Sequence, residues 1–110
     1  MDRGDVEFVM VARMSDLHSF RGKLVKVENE EIVLWQVDGK VYAMNNVCPH
    51  QHFSMLHQGV VDGAYVTCPM HGWTFSLEDG RPKTGNGRAK TYRVKVKGAD
   101  VFVERPKSAW

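Results

Sequence analysis

Cys48-Pro49-His50 and Cys68-Pro69-Met70-His71-Gly72 are the segments of this 110-residue chain whose residue types and spacing could do chemistry. Each offers one thiolate and one imidazole, two or three residues apart, and 17 residues lie between His50 and Cys68. At the tips of two β-loops folded side by side, they would present two sulfurs and two nitrogens to a common centre. A proline after each cysteine stiffens its loop, and Gly72 removes a side chain where two backbones must approach. A Cys₂His₂ set suits either a tetrahedral Zn²⁺ or a [2Fe–2S] cluster in which two histidines replace two cysteines on one iron. Zinc fingers usually gather two cysteines on one knuckle and two histidines together. Here both loops are mixed, C-x-H and C-x₂-H, so one iron could take a thiolate from each loop and the other an imidazole from each.

Short alternating segments must position those loops. Residues 23–28 alternate Val25 and Val27 with Lys26 and Glu28, the pattern of a half-buried strand. Residues 32–37 are almost wholly apolar, which suits a central strand covered on both faces. Asp38-Gly39 reads as a type I′ hairpin turn leading into a strand over 41–44, and Asp62-Gly63 as its counterpart between 60–61 and 64–67. Glu78-Asp79-Gly80 closes a strand over 73–77, and Gly98 joins strands over 91–96 and 101–104. Residues 15–20 alone look helical, for about one turn, with Ser15 placed to cap it. Many short strands with frequent turns predict an all-β domain, a sandwich or barrel.

Length and composition set the outer limits. At 110 residues, 43% hydrophobic and 25% charged, the chain is expected to be one globular domain over 1–110. The longest apolar run, Phe8-Val9-Met10-Val11-Ala12, is far short of the ~18–20 residues of a membrane span, and no secretory signal is readable, so a cytoplasmic protein is expected. A net charge of +2 argues against a bulk nucleic-acid binder. The charge is nonetheless uneven: residues 48–80 hold no lysine or arginine and three acidic groups, residues 81–110 nine basic and two acidic. Two cysteines cannot make a disulfide scaffold, and a metal-binding or catalytic role leads for both.

The paired segments, with Gly72-Trp73 after the second, resemble the Rieske motif, and the likeness runs from about Leu24 to Glu104. The resemblance implies a three-layer antiparallel β fold with a small cluster-binding lobe at about 46–80. It implies one [2Fe–2S] cluster, with Cys48 and Cys68 on the inner iron and His50 and His71 on the outer. Two Fe³⁺, two sulfides, two thiolates and two neutral imidazoles sum to zero charge. An added electron therefore costs less than at an all-cysteine centre, and potentials rise to about −150 to +300 mV. High-potential members add a disulfide and hydroxyl donors near the cluster. Phe53, Met70, Trp73 and Phe75 stand at the corresponding positions and supply neither, which points to the low-potential type.

The function implied is a one-electron carrier between a flavoprotein reductase and a terminal oxygenase. The small subunit of an NADH-dependent nitrite reductase, working with its large subunit, is the alternative, and a zinc-binding structural module is the alternative of another class. The chain is not expected to be an enzyme: an oxygenase needs a further mononuclear iron on two histidines and a carboxylate, and none of the 39 residues after His71 is histidine. His52 and His57 read as solvent-facing loop histidines, His18 as a surface one, and Trp35 and the methionines, Met70 aside, as core. Gly85-Asn86-Gly87 reads as a turn in the 82–87 loop. In residues 88–97, Tyr92, Val94 and Val96 are expected to face inward and a basic row outward, guarding an edge strand or docking an acidic partner.

Overall fold

In the computed structural model the described residues are 7–18, 21–46, 56–68, 74–83 and 88–105. They form ten strands: β1 (Phe8–Arg13), β2 (Lys23–Val27), β3 (Glu30–Val37), β4 (Lys40–Asn45), β5 (Val60–Asp62), β6 (Tyr65–Thr67), β7 (Thr74–Ser76), β8 (Thr91–Tyr92), β9 (Val94–Lys97) and β10 (Asp100–Glu104). All pairings are antiparallel, in three sheets ordered β1-β10-β9, β2-β3-β4-β8 and β5-β6-β7.

The middle sheet is covered on both faces, and β3 shows why. Ile32, Val33, Leu34 and Trp35 are all fully buried, but alternate side chains go to different cores. Ile32 and Leu34 pack with Val41, Ala43, Val101 and Val103, towards the β1-β10-β9 sheet. Val33, Trp35 and Val37 pack with Met44, Leu56, Val66, Phe75 and Leu77, towards the β5-β6-β7 sheet. The result is an all-β domain, as the strand pattern predicts, in the three-layer arrangement that the resemblance implies. Between β3 and β4, Val37 pairs with Lys40, which leaves Asp38 (φ 53°) and Gly39 (φ 83°) as the two-residue turn that a type I′ geometry requires.

Phe8–Arg13, where the sequence pattern predicts no element, is a strand, paired with β10 through a bulge between Met10 and Ala12, and several local expectations are corrected. The expected turn of helix is a 3-10 turn at Met14–Asp16, with Ser15 inside it rather than capping it. Asp16 Oδ2 accepts the Arg13 N–H at 3.0 Å, and Leu17 is already extended. The turn after β5 is centred one residue later than expected, since Asp62 pairs with Tyr65. The 91–96 segment divides: β8 pairs with β4, while β9 pairs with β10 in another sheet. Arg93 stands at the crossing, where its N–H donates to Glu104 Oε1 and its carbonyl accepts the Glu104 N–H. Burial fades along this segment, with Tyr92 buried and Val96 exposed, so the inward row does not persist. Lys95 and Lys97 line an edge strand, as the guarded-edge reading requires. Met44 is core but Met10 is exposed.

Candidate metal centre

Of the four expected ligands, Cys68 lies among the described residues; Cys48, His50 and His71 lie outside them. Cys68 follows β6 directly and is fully buried, packed in the core that holds Val66, Leu56 and Phe75. Phe75 is fully buried in the middle of β7, while Phe53, Met70 and Trp73 lie outside the described residues. Among the described residues no three His, Cys, Asp or Glu side chains group as a metal site.

The structure shows how the bases of the two Cys/His segments are held. Thr67 and Thr74, on either side of the second segment, are register partners in β6 and β7, and their hydroxyls hydrogen-bond at 3.0 Å. Beyond β7, Lys83 donates its N–H to the Thr74 carbonyl and Pro82 bridges to Phe75, adding a rung to this lobe. On either side of the first segment, Leu56 N–H donates to the Asn46 carbonyl at 3.1 Å, and His57 N–H to Asn46 Oδ1 at 2.7 Å. The two bases also touch. A Cβ on Gly59 would lie 2.7 Å from the Thr67 carbonyl oxygen and 2.7 Å from Val66 Cγ2, so only glycine lets the chain leaving the first segment pass the strand leading to Cys68. Two mixed Cys/His segments rooted in backbone contact fit a cluster that draws one thiolate and one imidazole from each.

His57 is not the solvent-facing loop residue expected. It is half-buried in a 3-10 turn at Leu56–Gln58, and its Nδ1 lies 3.1 Å from Asn46 Oδ1. His18 is exposed as expected; His52 and the 84–87 turn lie outside the described residues. Sequence reasoning missed the pair at the end of β4. Asn46 Nδ2 donates to Glu31 Oε1 at 3.0 Å, and Asn45 Nδ2 donates to the Tyr92 hydroxyl at 3.0 Å, with Glu30 beside both. Two consecutive amides are thus matched to two consecutive carboxylates of β3. The only sequence signal was a polar pair at the end of an apolar strand.

A family model of the Rieske [2Fe-2S] domain matches residues 7–105. The chain belongs to the Rieske family. It carries one [2Fe–2S] cluster, and the zinc module is thereby set aside. This Rieske chain is 37% identical over 84 residues to the ferredoxin component of the naphthalene 1,2-dioxygenase system of Pseudomonas aeruginosa, covering 73% of this chain and 78% of that one. Among solved structures it is similar to the ferredoxin of carbazole 1,9a-dioxygenase from Nocardioides aromaticivorans IC177, with a TM-score of 0.82 and 27% identity over 91% of this chain and 98% of that one. It is also similar to a structure described as a nitrite reductase NADPH small subunit, with a TM-score of 0.80 and 27% identity over 88% and 97% of the two chains. No helix among the described residues is long and apolar enough to cross a membrane.

Proposed function

We propose that this chain is a single-domain cytoplasmic electron carrier that takes one electron at a time from a flavoprotein reductase and delivers it to a terminal oxygenase. Cys48, His50, Cys68 and His71 would hold the cluster, the thiolates on the inner iron and the imidazoles on the outer, within a lobe at about 46–80. When bound, the cluster supplies a one-electron couple; the chain's own part is to hold four ligands on two short segments and to present the histidine side to a partner. The observation that carries the reading is the 37% identity to a dioxygenase ferredoxin component over most of both chains. Neither nucleic acid nor membrane enters the proposed cycle.

Two experiments test it. Alanine at Cys48, His50, Cys68 or His71 is expected to abolish the brown charge-transfer absorption, while His52→Ala and His57→Ala keep it; a colourless His52→Ala beside a coloured His50→Ala would reverse the ligand assignment. In anaerobic stopped flow, a dioxygenase-type flavoprotein reductase with NADH should reduce the protein, and the terminal oxygenase should reoxidise it. The second reading, a nitrite reductase small subunit, is supported by the nitrite reductase neighbour. Co-purification with a large sirohaem subunit would establish it in place of the first.

A further inference from the structure

Asn46 is fully buried and immediately precedes the segment that contains Cys48 and His50. Its backbone N–H donates to the Glu31 carbonyl at 2.9 Å, and its side-chain Nδ2 donates to Glu31 Oε1 at 3.0 Å, so both halves of the residue are tied to β3. Its carbonyl and Oδ1 accept the N–H groups of Leu56 and His57, the first two residues described beyond the segment. A backbone N–H can only donate and a carboxylate only accept, so these partners fix which way the amide points. Oδ1 then lies 3.1 Å from His57 Nδ1, which must carry the ring proton on that side.

We propose that the Glu31–Asn46–His57 hydrogen-bond chain positions the first ligand segment, and that Asn46 thereby governs how tightly the cluster is held and at what potential it works. This rests on the [2Fe–2S] reading above. Asn46 would act through the backbone as a positioning residue rather than as a ligand. A buried amide is suited to the task, because one side chain supplies both the donor that Glu31 accepts and the acceptor that His57 needs. Asn46, Leu56 and His57, the described residues on either side of positions 47–55, are thereby held together. Groups that orient ligands in this way typically change metal affinity or activity by about 10–100-fold when removed.

The test uses the full chain as the wild type and as Asn46→Ala, Asn46→Asp, Asn46→Asp with Glu31→Gln, and Val101→Ala. Iron release to a chelator and the midpoint potential are measured on each. Asn46→Ala should release iron roughly tenfold faster and shift the potential. Asn46→Asp should do the same, because a carboxylate now faces Glu31. Adding Glu31→Gln restores a donor–acceptor pair with reversed polarity and should return both readouts towards wild type. Val101→Ala, in the opposite core, should lower the melting temperature and leave both unchanged. Wild-type release and potential in Asn46→Ala, or a double variant no better than Asn46→Asp, would overturn the proposal. Amide exchange at His57 in metal-free protein separates the two readings: it should quicken in Asn46→Ala, and unchanged exchange rejects the clamp. Absence of iron and sulfide from the wild type would reject the cluster reading instead.

Discussion

Glu30 sits where Tyr92, Lys90 and Asn45 converge, with Lys90 Nζ 3.0 Å from Oε2 and the Tyr92 hydroxyl donating to Oε1. Partial burial pushes its carboxyl up, but the hydrogen bonds from Tyr92, Lys90 and Asn45 and the Lys90 charge outweigh this and hold it below its ordinary value of 4.5. A depressed folded-state pKa contributes stability that is complete above the ordinary value and is lost as pH falls through the folded one. Tyr92 moves the other way: burial, then the bond to Glu30, pushes its hydroxyl well above 10, so its contribution is complete below about pH 10 and is lost at higher pH. Melting temperatures across pH should show this directly. Glu30→Gln should flatten the acid slope below about pH 4.5 and Tyr92→Phe the alkaline one; unchanged slopes would mean that the cluster of side chains is electrostatically idle. The burial of Tyr92 was legible in the sequence but its meeting with Glu30 was not, since nothing local says that residue 30 will meet residue 92. The family was legible, because thiolates and imidazoles at such short, paired spacing are rare and specific, whereas Asn46 looked like any polar residue ending a strand.

At the scale of elements, two glycines separate conformational strain from crowding. Gly39 (φ 83°) has nothing within 4 Å of where a Cβ would sit, whereas a Cβ on Gly80 (φ 77°) would lie 2.0 Å from the Ala89 carbonyl oxygen. Gly80 cannot shift freely, because its N–H donates to the Ser76 carbonyl and its carbonyl accepts the Ala89 N–H, both at 2.8 Å. Gly39→Ala should therefore cost only the left-handed backbone penalty, about 1–2 kcal/mol. Gly80→Ala should cost clearly more, about 3 kcal/mol or above, as the backbone is forced apart. Chemical denaturation of both variants checks the order; equal losses would show that the Gly80–Ala89 contact relaxes without cost. The apolar run of β3 announced a strand covered on both faces, and Asp38-Gly39 announced its turn. β1 was hidden because Phe8-Val9-Met10-Val11-Ala12 does not alternate, and the bulge between Met10 and Ala12 is the structural reason. The break between β8 and β9 was hidden because Tyr92, Val94 and Val96 keep the strand period across a change of sheet, a tertiary event that periodicity does not record.

Taken whole, the molecule is a three-layer β framework in which Asn46, tied to β3, and the Thr67–Thr74 pair of β6 and β7 stand at the bases of the two Cys/His segments, while lysine and arginine are concentrated in the last third of the chain. Phe53, Met70, Trp73 and Phe75, which the Rieske resemblance sets where high-potential members carry hydroxyl donors and a disulfide, can supply neither, so the midpoint potential should lie near the lower end of the Rieske range, about −150 mV. A midpoint above about +100 mV would show that backbone donors or burial outweigh those missing groups. The central claim, a mixed Cys/His two-iron cluster that cycles by one electron, is tested most directly by the EPR spectrum of the dithionite-reduced protein, with iron and acid-labile sulfide assayed on the same sample. The reduced protein should give a spin-½ signal with an average g below that of all-cysteine [2Fe–2S] clusters, from a sample with about two irons and two sulfides per chain. An EPR-silent, colourless sample holding stoichiometric zinc and no sulfide, after anaerobic purification from iron-sufficient cells, would contradict it.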